Sequence, residues 1–181
     1  MRNIQILVSA VATSLCLMAS GTALATTKAE YNAAKDKAKA EYKISDDKCG
    51  SLSGNAKDIC KAEAKAARKK ADANAKAQYK NTPKARQDAA IAVADADYDV
   101  AKEKCDDKAG NDKDVCVKEA KAVQIKAKGE AKAMQKSTTA RNDAAEDTRD
   151  ANYKVAMEKC DALAGDAKDG CQKNVKTKYG K

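Results

Sequence analysis

The stretch YDVAKEKCDDKAGNDKDVC, Tyr98 to Cys116, reads as the end of one helix, a polar turn around Gly110 and the start of a returning helix. Ala, Lys and Glu are strong helix formers. Glycine suits a left-handed residue that ends a helix or turns the chain, and Asn111 after it suits an N-cap. On this reading Cys105 and Cys116, with ten residues between them, fall on facing stripes at the neck of a helical hairpin.

The same pattern occurs three times. Cys49/Cys60, Cys105/Cys116 and Cys160/Cys171 share one spacing, and successive pairs are offset by 56 and 55 residues. Tyr42, Tyr98 and Tyr153 each lie seven residues before the first cysteine of a pair, and Gly54, Gly110 and Gly165 lie five after it. Asn55, Asn111 and Asp166 follow the glycines as candidate caps. Ala85-Arg86 with Asp88-Ala89-Ala90 returns as Ala140-Arg141 with Asp143-Ala144-Ala145. An internal repeat of about 55 residues is therefore the dominant feature of the chain.

Apolar residues within each unit recur at helical spacing: Ile91, Ala94, Tyr98, Ala101 and Cys105 before the second turn, then Cys116, Ala120, Val123, Ala127 and Met134 after it. The fold expected is all-α, with three helical hairpins in an elongated or loosely bundled arrangement. Repeat 1 spans residues 26–83, repeat 2 residues 84–138, and a shortened repeat 3 residues 139–181. Between repeats, Thr82 reads as an N-cap with Pro83 at the first helical position. Ser137-Thr138-Thr139 offers cap-forming residues at the equivalent place. Reversal at both points predicts six helices; the rival is that the helices run on as long rods.

Residues 1–25 read as a signal peptide: Met1-Arg2-Asn3 is a basic start, residues 4–20 carry no charge, and Ala23-Leu24-Ala25 ends the segment with small-x-small. Cleavage is expected before Thr26, with an uncleaved anchor as the rival. Leu15 before Cys16 argues against a lipoprotein signal. The leader takes Cys16 with it and leaves six cysteines, an even number that in an exported chain reads as disulfides. The repeat favours local pairing, Cys49 with Cys60, Cys105 with Cys116 and Cys160 with Cys171. A redox or metal-buffering role is the rival, but redox work prefers Cys-x-x-Cys and zinc sites prefer close pairs. Neither spacing occurs here.

Composition limits the chemistry. Among 181 residues there is no His, Trp or Phe, and past residue 25 the only leucines are Leu52 and Leu163. Ser-His-Asp and Cys-His nucleophiles and imidazole-bound metal or haem are excluded. No catalytic, cofactor-binding or metal-binding residue is assigned. Tyr42, Tyr98 and Tyr153 read as core anchors near the stapled ends, with a ligand-stacking surface as the alternative. Asp46/Asp47 and Asp106/Asp107 lack the spacing of a calcium loop.

The formal charge is +9. It is distributed by helix: residues 61–80 and 117–136 are basic, while the segments that follow them carry Asp88, Asp95, Asp97 and Asp99, then Asp143, Glu146, Asp147 and Asp150. Attraction between neighbouring helices is one reading. A basic surface for anionic partners is the other.

Stretches such as Lys61-Ala62-Glu63-Ala64-Lys65-Ala66 make the chain resemble the long helical region of TolA and the small TolA-like, Ala/Lys-rich periplasmic proteins of proteobacteria. The resemblance covers most of the chain after the leader and is compositional. It implies a periplasmic helical protein. TolA's helix lacks this cysteine repeat, so Tol-system function is not carried over. The function expected is non-enzymatic: a cell-envelope structural or protein-interaction module in the periplasm. A polycationic binder of anionic envelope polymers or lipids is the alternative. The partner expected is an envelope protein or an anionic polymer, with self-association through leftover alanine stripes; nucleic acid is not expected, and after signal cleavage no membrane span.

Overall fold

The computed structural model describes residues 26–181. The leader, including Cys16, lies outside the described residues. Five helices follow in order: α1 (Lys28–Cys49), α2 (Gly54–Lys80), α3 (Pro83–Cys105), α4 (Gly110–Asp161) and α5 (Gly165–Tyr179). The all-α hairpin architecture is as the repeat predicts.

Neighbouring helices in the sequence pack against each other, and among the described residues no other helix pair makes contact. The fold is therefore a single row of helices rather than a bundle closed around a centre. Its buried side chains are ten alanines, three cysteines and Gln124. Alanine lets helix axes approach closely, but each buried methyl adds far less than the roughly 1.5–3 kcal/mol of a large apolar side chain. The larger residues sit at seam edges or in solvent: Val123 and Met134, expected on the α3-facing stripe, are 68% and 71% exposed. Gln124 takes the inner position instead, because its amide donates to the Asp95 carboxylate on α3.

The two inter-repeat junctions differ. At the first, Asn81 adopts a left-handed conformation (φ 45°) and its N–H bonds to the Ala77 carbonyl. Thr82 is extended, and its hydroxyl accepts from the Ala85 N–H at 3.1 Å. Pro83 has no N–H to continue α2, and it occupies the first position of α3, where none is needed. The chain reverses there.

At the second junction the expected reversal does not occur. Helix α4 runs through Ser137-Thr138-Thr139 without a break for 52 residues, about 78 Å at 1.5 Å per residue. The hydroxyls that could have capped a new helix bond within the old one. Thr138 Oγ1 donates to the Met134 carbonyl at 2.8 Å, and the Gln135 amide donates to Thr139 Oγ1 at 3.0 Å. Ser and Thr permit a break, whereas Pro enforces one. Among the described residues there are thus five helices, not six. Residues 110–136 of α4 belong to the second hairpin, its far end forms the third hairpin with α5, and residues 140–149 between them are all exposed.

Candidate functional site

Each hairpin neck is closed by one disulfide: Cys49–Cys60, Cys105–Cys116 and Cys160–Cys171, with Cα–Cα distances of 5.6, 5.7 and 5.6 Å. These distances lie near the middle of the range a disulfide needs. The first cysteine of each pair ends a descending helix and is fully buried. The second lies about two turns into the return helix and is half-buried.

The turn glycines have φ of 56°, 55° and 54° at Gly54, Gly110 and Gly165. A Cβ at any of them would meet nothing within 4 Å. Backbone conformation, not space, is therefore what calls for glycine at these turns. The glycines open the return helices, and the residues before them (Ser53, Ala109 and Ala164) take the extended cap position with no side-chain cap bond. Asn55, Asn111 and Asp166 are therefore not N-caps as expected. A left-handed glycine after an extended residue turns the chain in two steps and moves the cap two residues earlier. Asn55 is thereby released to bridge hairpins: its amide donates to the Glu103 carbonyl at 3.2 Å and to Asp107 Oδ1 at 2.6 Å.

The register tyrosines are half-buried, each with a cation near its ring: Arg68 at 5.4 Å from the Tyr42 centroid, Lys121 at 5.0 Å from Tyr98 and Lys181 at 6.0 Å from Tyr153. Tyr42 lines the α1–α2 seam with Ala38 and Ala64, and Tyr98 lines the α3–α4 seam with Ala94 and Ala120. They are seam residues capped by charge rather than deep core. Two ring pairs clamp open hairpin ends: Tyr31 stacks on Tyr79 at 5.0 Å, and Tyr153 meets Tyr179 edge-on at 5.8 Å. Lys181 adds a 2.9 Å ion pair to Asp150, which holds that carboxyl below its ordinary pKa.

The basic–acidic alternation is used between helices. Lys69 pairs with Asp99 at 2.8 Å, Lys70 with Asp97 and Lys128 with Asp95, each a lysine of a basic helix on acidic α3, while Lys104 of α3 pairs with Glu63 of α2 at 2.7 Å in the opposite sense. At the necks, Lys113–Asp106 and Lys168–Asp161, both 3.0 Å, occupy equivalent places in repeats 2 and 3. The ion pairs are exposed, each worth about 0–1 kcal/mol, so they set pairing and register more than stability. An open channel over α2 is lined by Lys35 of α1, Lys76 and Lys80 of α2 and Lys84 of α3, together with Asp72, Asp88 and Asp95, and Lys84 is paired with Asp88. No described helix is long and apolar enough to cross a membrane.

The row of close alanine seams, the stapled necks and the paired charges define an all-α protein of disulfide-closed helical hairpins. No protein-family model matches the chain, and neither a curated protein nor a solved structure matches it.

Proposed function

We propose that this chain is a non-enzymatic helical-repeat protein of the periplasm that serves as a structural or protein-interaction module of the cell envelope. The observation that carries this reading is where the chemically capable side chains go. The six cysteines of the repeat form disulfides, the register tyrosines lie in seams, and Lys69 and Lys70 of basic α2 pair with Asp99 and Asp97 of acidic α3. These groups hold helices in a row and leave long polar helical faces outward, which suits a spacer or docking scaffold. Export agrees with disulfides that persist only in an oxidising compartment. In-cell crosslinking with identification by mass spectrometry tests it. A reproducible envelope protein crosslinked to the helical faces is expected; recovery of no protein partner would overturn the reading.

Lys35, Lys76 and Lys80, gathered in the channel over α2, support a second reading, binding to an anionic envelope polymer or lipid. Binding of that kind weakens steeply with salt. Titration of anionic vesicles between low and physiological ionic strength separates the two, because docking to one protein through alanine-rich faces is nearly insensitive to salt.

A further inference from the structure

The repeat shows that α4 carries both halves of an interface it does not make with itself. In the α2–α3 seam, Ala66, Ala77, Ala85, Ala89 and Ala96 are buried, at 0–8% exposure. Shifted by the repeat offset, they become Ala122, Ala133, Ala140, Ala144 and Ala151. All five are alanine again, and all five are exposed. In a chain that reversed at residue 138, the two groups would face each other as α2 faces α3. In straight α4 they lie end to end.

They also lie on one face. Ala122, Ile125, Gly129, Ala133, Lys136, Ala140, Ala144, Asp147 and Ala151 follow each other at steps of three or four residues, which keeps them in one stripe. Ala120, Gln124, Ala127 and Ala131, which face α3, lie on the opposite side, and Ile125 is 61% exposed. We propose that a second copy of this chain covers this stripe. Two straight α4 helices would lie antiparallel about a two-fold axis near Thr139, each placing its third hairpin against residues 110–136 of the other.

Two polar contacts of the α2–α3 seam carry over with the alanines, while Lys69–Asp99 and Lys70–Asp97 become Ile125 with Lys154 and Lys126 with Asn152 and do not. The Glu63–Lys104 ion pair becomes Glu119 facing Lys159 of the other copy. The bond from Asn55 to the Glu103 carbonyl becomes Asn111 facing the carbonyl of Glu158 of the other copy. Asn111, Glu119, Glu158 and Lys159 are all exposed in the single chain. The charges agree with this orientation: the first half of α4 is basic and the second carries Asp143, Glu146, Asp147 and Asp150. Antiparallel pairing puts basic on acidic twice, while parallel pairing puts like on like. The stripe, residues 122–151, is about 44 Å long and roughly 10 Å wide, so two copies would bury on the order of 900 Å² in total, the size of a weak or transient interface.

The test is sedimentation velocity combined with small-angle scattering on the full gene product recovered after export. A dimer is expected at about 100 µM or below. Ala133→Glu with Ala144→Glu places carboxylates opposite each other in the seam and should weaken the dimer by about 100-fold or more. Because both positions are exposed in the single chain, helicity should not change. Glu119→Lys should weaken it about fivefold, and adding Lys159→Glu should restore it. A wild-type monomer at that concentration overturns the proposal. So does a dimer that survives the double glutamate variant, or a compact monomer whose scattering shows the third hairpin folded back on its own α4.

Discussion

Helix α5 is the part of the fold that depends most on its disulfide. It has 15 residues and no buried side chain. Alone, a helix of that length is marginal in water, and Gly170 in its interior costs about 1 kcal/mol relative to alanine. Val175 and Tyr179 are half-buried against α4, which together contributes about 2 kcal/mol. The Cys160–Cys171 link, eleven residues apart in sequence, adds about 3 kcal/mol in the chain-entropy model. Removing it with Cys160→Ser and Cys171→Ser should raise the local opening constant of α5 by about 10²-fold. Hydrogen exchange across residues 162–181 should then approach the rate of an unstructured peptide. The same change at Cys105 and Cys116 should lower the melting temperature but leave residues 117–131 protected, because the Ala94, Gln124 and Ala131 seam still joins α3 to α4. Adding Gly170→Ala to the α5 variant should recover about fivefold of the protection. If exchange in α5 is unchanged by loss of the disulfide, the Tyr153–Tyr179 and Lys181–Asp150 contacts suffice and the reasoning fails.

Gly110→Ala should destabilise by about 1 kcal/mol, because a Cβ fits the space but not the positive φ; a chemical denaturation midpoint reads this. Thr138→Pro should split α4, since it removes the N–H bond to residue 134 and costs about 3 kcal/mol in a continuous helix. Loss of about one turn of helical dichroism, together with a smaller radius of gyration, is expected. The carboxyl of Glu30 is held below its ordinary pKa by bonds from the Thr27 backbone and hydroxyl. A group depressed in the folded state stabilises fully above its unfolded pKa and loses that contribution as pH falls through its folded pKa. The first turn of α1 should therefore fray only in acid below the usual glutamate range, which carboxyl NMR titration with amide exchange can follow; Glu30→Gln should remove the dependence.

The hairpins were legible because three kinds of residue coincide in register: cysteines at a spacing that closes a neck, glycines that need a left-handed backbone, and tyrosines two turns before the first cysteine on the same stripe. The first reversal was equally legible, since Pro83 cannot donate the bond that would extend α2. The straight run through Thr138 was not, because serine and threonine hydroxyls serve equally as caps or as partners of the preceding turn's carbonyls. Local sequence holds no preference there. The cap positions differ from the expected ones by two residues for a related reason: Asn55 is a good cap by type, but the left-handed Gly54 before it moves the cap back to Ser53 and sends Asn55 to the neighbouring hairpin. The charge alternation showed which helices would be partners without showing which side chains would meet.

The disulfides have a kinetic consequence. Six cysteines allow 15 pairings, and the chain adopts the one in which each bonds the next along the sequence. For any of the six, the correct partner is 11 residues away and the nearest wrong one is between 44 and 56. Loop closure alone favours the near partner by about 1 kcal/mol, or several-fold in effective concentration. As the chain emerges N-terminus first, each pair is complete before the first cysteine of the next pair appears. Oxidative folding becomes three short local events in order, a process that needs a supply of oxidant but no isomerase to correct mistakes.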